Sequence, residues 1–216
     1  MDTELTVQET QEIQQAAHEI QAPVAIENLL QSTQALAMIS RLAERYSNSD
    51  MVPEVYRKKP DNCFVALELA SRMDVSPILV MQNLYIVKGK PSWGGQACKA
   101  LIDGSGKFKD SKYILTGTKE QADRGCYLQA INVKTGELIV GTEITMQMVQ
   151  TEGWISNTKW KSMPEQMLKY RAAAFFARTE CPEVLMGFQT AEENEDTAKS
   201  DKKQVTIDAT QNIKEM

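Results

Sequence analysis

A chain of 216 residues with 42% hydrophobic and 25% charged side chains has the composition of an ordinary globular protein with a real core, and its formal net charge is -5. It contains no apolar run near the ~20 residues of a membrane span, and its start, MDTELTVQETQEIQQ, is acidic where a secretory leader is basic and then apolar, so a cytoplasmic protein is expected. Cys63, Cys98, Cys126 and Cys181 lie far apart, and His18 is the only histidine; this reads as reduced, buried thiols, with no zinc site, other metal or disulfide framework.

Residues 1–50 are an acidic arm and helical region, with Gln-rich residues 1–22 followed by Ile26, Leu29, Leu30, Leu36, Ile39 and Leu42 at near-helical spacing. Past the basic turn Tyr56 to Pro60, a helix is predicted from Asn62 to Met73, with Asp61 or Asn62 as its cap. Val80 to Val87 is strand-like, and Gly94-Gly95 leads into a short helix, Gln96 to Ile102. Gly104 to Asp110 reads as a loop, and Tyr113 to Thr116 as another strand. Tyr127–Val133 and Leu138–Thr145 read as a hairpin around Lys134-Thr135-Gly136-Glu137. A helix from Pro164 to Glu180 follows, with capping-box spacing between Ser162 and Glu165, and Pro182 ends it. Residues 191–216 read as a disordered acidic tail. The expected fold class is α+β, a small antiparallel sheet with its hairpin packed against several helices, residues 51–190 forming the core and both termini flexible.

Charge is segregated along this order. Residues 1–50 hold two basic and eight acidic side chains, residues 51–190 eighteen and fourteen, and residues 191–216 four and seven. Within 155–178 the cations Lys159, Lys161, Lys169, Arg171 and Arg178 are opposed only by Glu165. Arg171 and Arg178 are seven apart and share a helix face, with Ala174 between them as a gap through which a phosphate backbone could approach. Surface ion pairing is the competing reading of the same arginines. Of the aromatics near basic residues, Trp160 and Trp93 are the candidates for base stacking, against core packing as the alternative. Gly104-Ser105-Gly106-Lys107 is not a nucleotide loop, because Phe108 stands where Ser or Thr is required. No nucleophile–base arrangement is legible, so the chain is read as a binding protein, not an enzyme.

Trp160, Ser162, Pro164, Met167-Leu168, Lys169, Arg171-Ala172 and Ala177-Arg178 closely resemble the signature helix of the RecT/Red-beta (Bet) phage recombinases. The resemblance runs from about Cys63 to Glu193, through FVALELASRMDVSP, LYIVKGKPSWGGQACKALIDGSGKF and CYLQAINVKTGELIVGTEIT. It implies a protein of bacterial or phage-infected cells that coats single-stranded DNA as a ring or filament and anneals it to a complementary strand without ATP or another cofactor. Its implied partners are single-stranded DNA, the annealed duplex and further copies of itself, with a partner exonuclease or host single-strand binding protein as additional candidates. By the same resemblance Lys161, Lys169, Arg171 and Arg178 are implied phosphate contacts, joined by Lys88, Lys90, Lys99, Lys107 and Lys109. Glu165 and Gln166 depart from it, since family members can carry basic residues directly after the proline. A passive single-strand binding protein and a small α+β enzyme are the alternatives.

Overall fold

The computed structural model describes residues 32–87 and 89–196. The chain divides into two compact units, one reaching to Pro77 and one starting at Ile78, so the boundary falls inside the stretch that the sequence assigns to a single core.

In the first unit, helix α1 (Thr33–Ser47) starts where Ser32 Oγ accepts the Ala35 N–H at 3.3 Å. Helix α2 (Pro60–Met73) starts on Pro60, whose missing N–H costs nothing in a first turn. Neither expected cap is used there: Lys59 is the N-cap residue, and Asn62 Nδ2 donates instead to the Val55 carbonyl at 2.7 Å. Asp74 ends α2 in the left-handed region at φ 52. The two helices pack on each other, and Ala43, Cys63, Ala66 and Ala70 are buried.

The second unit is α+β. After α3 (Pro77–Asn83), β1 (Leu84–Val87) pairs antiparallel with β2 (Lys90–Trp93), and β7 (Gln189–Thr190) adds in parallel beside β2. This small sheet is therefore mixed rather than antiparallel, and the first half of the strand-like run 80–87 is helical. Helix α4 (Gly95–Gly104) then leads to β3 (Phe108–Thr116) and β4 (Gly125–Asn132), with β5 (Leu138–Val140) and β6 (Ile144–Thr145) both pairing antiparallel with β4. The β4–β5 hairpin is the one expected, with Gly136 at φ 75 in its loop. Strand β3 begins earlier than expected. It crosses a register shift between Lys109 and Lys112, with Asp110 at φ 53, and its first residue, Phe108, pairs with Asn132 and is buried.

Helices α5 (Met146–Thr151) and α6 (Lys159–Ser162) flank a 3-10 turn (Trp154–Ser156), and α7 (Pro164–Glu180) has the predicted bounds. Helix α7 packs on β4 and α4. Its Leu168, Ala172, Ala173, Ala174, Phe176 and Ala177 have no solvent exposure, and Phe176 meets Phe108 edge to face at 5.2 Å. Small alanines let strand and helix backbones close on it, while Leu168 and Phe176 each contribute about 1.5–3 kcal/mol of transfer free energy. The four cysteines are free and buried, as read; burial pushes the Cys98 thiol up to about 12, with Glu193 and Glu192 adding to the effect. No helix among the described residues is long and apolar enough to cross a membrane.

Gly117 makes the turn after β3 at φ 63, and a Cβ there would lie 2.5 Å from the Asp123 carbonyl carbon and closer still to its oxygen. Gly117→Ala should cost about 2–5 kcal/mol: roughly 1–2 for the left-handed backbone and ~1–3 for displacing a backbone carbonyl. Urea denaturation reads this directly, and a loss under ~1 kcal/mol would mean the turn re-forms without strain.

Candidate functional site

The cations expected to contact DNA separate into three groups. The first is internal. Arg171 is only 6% exposed, its Nη2 bonds the Asp196 carboxylate, and its Nη1 lies 3.7 Å from Glu193 Oε1. Its guanidinium sits 3.9 Å from the Trp154 ring centre and 5.8 Å from that of Trp160. Asp196, fully buried, also accepts from Trp160 Nε1 at 3.1 Å and Asn157 Nδ2 at 2.9 Å. Arg178 forks onto Glu193, which in turn accepts from the Thr190 N–H and hydroxyl, both at 2.9 Å.

These contacts correct three expectations. Arg171 faces carboxylates inside the fold rather than phosphates outside it, and Arg178, about a third exposed, is engaged by Glu193. Ala174 is buried, so the gap between the arginines is filled by the core. Trp160 and Trp93 have no solvent exposure, so neither presents a face to a base; Trp93 Nε1 donates to the Leu185 carbonyl at 3.1 Å.

The acidic partners come from a segment read as disordered. Residues 191–196 are helical. Thr190 and Glu193 cap that turn reciprocally, since the Glu193 N–H donates to Thr190 Oγ1 at 3.2 Å while the Glu193 carboxylate accepts from Thr190. The spacing Thr190-x-x-Glu193 is a helix-start signal that could have been read in the sequence. The pair Ser162 and Glu165, which was read that way, is used otherwise: Ser162 ends α6, Met163 is the N-cap residue of α7, and Glu165 bonds Arg124.

Burial sets the electrostatics of this clasp. Desolvation holds Asp196 above the usual carboxylate range against its donors, and it lowers Arg171. At Glu193 desolvation also pushes upward, but the Arg178 hydrogen bonds and both arginine charges outweigh it, leaving the carboxyl below its ordinary value. The clasp therefore holds because every polar group is met; no buried side-chain nitrogen or oxygen among the described residues lacks a partner.

The second group, Lys90, Lys99, Lys107 and Lys109, lies on β2, on α4 and around the start of β3. Lys107 is paired with Glu183, and Lys99 reaches both Asp103 and Ser111, each at 2.5 Å; Lys90 and Lys109 are exposed and form no ion pair with a described residue. Lys88 lies outside the described residues.

The third group opens onto a cleft of about 710 Å3 between the β3–β4 connection, α5 and the α6–α7 junction. Lys161 lines it together with Lys119 and Arg124, two cations that the sequence reading did not select. Met146, Ile155, Met163 and Pro164 give it apolar walls, with the buried Trp160 behind them, Gln121, Gln150 and Gln166 supply amides, and Glu120 adds a carboxylate. Arg124 ties the cleft together: Nε and Nη2 bond Glu165 Oε1 at 3.1 and 2.6 Å, and Nη1 bonds the Thr116 and Gly117 carbonyls, both at 3.2 Å. Glu165 is held below the usual carboxylate range, first by the Arg124 hydrogen bond, with Lys119 and Lys169 contributing through their charges. Lys169 thus belongs to the same electrostatic neighbourhood. Lys119, Lys161 and Lys169 form no ion pair with a described residue, so their charges remain available to an anion.

No protein-family model, curated protein or solved structure matches the chain. The cleft and its cations therefore carry the functional argument by their own chemistry. Nothing in the spacing of the sequence joins Lys119 to Lys161; the approach of the β3–β4 connection to the start of α7 does so.

Proposed function

We propose that the chain binds single-stranded DNA on the cationic surface of its second unit and accelerates pairing of complementary strands without ATP, working as a homo-oligomer. The observation that carries this reading is the cleft at the start of α7, where Lys119 and Lys161, neither in an ion pair with a described residue, join Arg124 to outnumber the carboxylates of Glu120 and Glu165 over apolar and amide-lined walls. Lysines without carboxylate partners attract the phosphate backbone, and release of its counterions supplies the affinity. Apolar and amide walls accommodate neutral bases. Annealing itself is driven by base stacking, ~1.4 kcal/mol per step, so a protein need only hold strands extended and neutralise their repulsion. The resemblance of the Trp160–Arg178 segment to the RecT/Red-beta recombinases supports the same reading. A partner exonuclease or host single-strand binding protein completes the proposed setting in a bacterial or phage-infected cell.

A cleft of about 710 Å3 with mostly apolar walls is also of a size that takes a small molecule. One measurement separates these readings: the pairing rate of two complementary dye-labelled oligonucleotides without ATP. The expected result is acceleration that weakens as salt is raised. Slowed pairing with tight binding would indicate a passive coat, and no binding to single strands would leave the small-molecule reading.

A further inference from the structure

A second depression, of about 470 Å3, borders the other lysine of α6. Lys161 lines the cleft described above, whereas Lys159 lines this groove, so one four-residue helix is shared by both. The groove is flanked by Tyr85 on β1 and Tyr170 on α7, with Gly94 and Gly95 between them. A Cβ at Gly95 would lie 2.8 Å from Tyr170 Cβ and Cγ, and one at Gly94 would lie 3.0 Å from Tyr85 Cε2, so both tyrosines rest directly on glycine backbone. Tyr85 is 44% exposed, unlike the fully buried Trp93 and Trp160.

Charge determines what such a groove admits. Glu192 and Glu195 line one side; Glu192 accepts the Gly95 N–H at 2.9 Å, and Glu195 pairs with Lys159 at 3.1 Å. Two carboxylates repel a phosphate but not a neutral aromatic ring. The Lys159–Glu195 pair occupies the lysine of this groove, so a phosphate is anchored instead at Lys161, on the other side of α6, which forms no ion pair with a described residue.

We propose that the groove between Tyr85 and Tyr170 is a stacking subsite for one unpaired base of single-stranded DNA, oriented by a phosphate held at Lys161 on α6. This rests on the single-strand reading above. Face stacking on Tyr85 leaves the pairing edge of the base free, as annealing requires, and makes no demand on base identity.

The test uses the full chain and a short single-stranded oligonucleotide carrying one 2-aminopurine. Wild type should quench its fluorescence, Tyr85→Phe should retain the quenching, and Tyr85→Ala should lose it while weakening binding about 5- to 150-fold, the ~1–3 kcal/mol of one lost base–aromatic stack. The salt dependence should stay unchanged in Tyr85→Ala, because no phosphate contact is removed. Should Tyr85→Ala fail to fold, photocrosslinking of a 5-iodouracil oligonucleotide to wild type decides: adducts on the peptides holding Tyr85 or Tyr170 support the subsite, and adducts only elsewhere overturn it. Normal single-strand binding with neither quenching nor such adducts would overturn the subsite alone. Absence of any single-strand binding by wild type would overturn the proposed function with it.

Discussion

Asp196→Ala is expected to destabilise the second unit by about 3–5 kcal/mol, the usual cost of removing one partner from a buried ion pair. The carboxylate is fully buried and receives donors from Arg171, Trp160 and Asn157, so its loss leaves Trp160 Nε1 without its acceptor, Asn157 Nδ2 with only Glu195 at 3.4 Å and Arg171 without its nearest carboxylate. Arg171 would keep only Glu193, at 3.7 Å, and the faces of Trp154 and Trp160. Asp196→Asn should cost less, because an amide oxygen still accepts from one or two of these donors. Urea denaturation followed by tryptophan fluorescence is the measurement, with Trp154 and Trp160 stacked at 6.0 Å beside the clasp as reporters. A loss below ~1 kcal/mol would mean that residues 191–196 are not seated on α7 in solution. The same geometry sets the meaning of Arg171→Ala: any loss of DNA binding there would accompany damage to the fold, not removal of a phosphate contact.

Substituting Lys119, Lys161 and Lys169 together by alanine should have the opposite character, leaving stability nearly unchanged and sharply weakening single-strand binding. None of the three forms an ion pair with a described residue, and Lys119 and Lys161 are exposed. For single strands log K falls with log salt by about 0.7 per phosphate contact, so losing three contacts should flatten the slope by about 2 units. Affinity measured by fluorescence anisotropy across a salt series gives that slope. An unchanged slope in the folded triple variant would remove the cleft from the DNA path and shift attention to Lys90 and Lys109. Arg124 is left out of the variant because its bonds to Glu165 and the Thr116 and Gly117 carbonyls make it part of the cleft wall.

Local signals were the ones the sequence carried well. Helix α7 was legible to the residue because Pro164 suits a first turn and Pro182 prevents continuation, both properties of the chain within a few residues. The β4–β5 hairpin was legible for the same reason, its loop glycine taking a positive φ. Where short-range signals conflicted, the reading failed. Residues 80–87 read as one strand-like run, although the polar pair Gln82-Asn83 interrupts it where α3 ends and β1 begins. Gly104 to Asp110 had the composition of a loop, yet Phe108 opens β3 because pairing with Asn132 and burial against Phe176 outweigh the local preference.

The sequence by itself determined an α+β protein, buried cysteines, and a basic middle between acidic ends. Only the tertiary structure decided which basic residues remain available to a ligand. Helical spacing placed Arg171 and Arg178 on one face but could not say what that face meets, because Glu193 and Asp196 reach it from 15 and 25 residues away by a fold-back of the chain. Charge is a property of residues, whereas free charge is a property of their surroundings: burial and pairing consumed the two arginines and Lys159, while Lys161 and Lys169 stayed open to an anion.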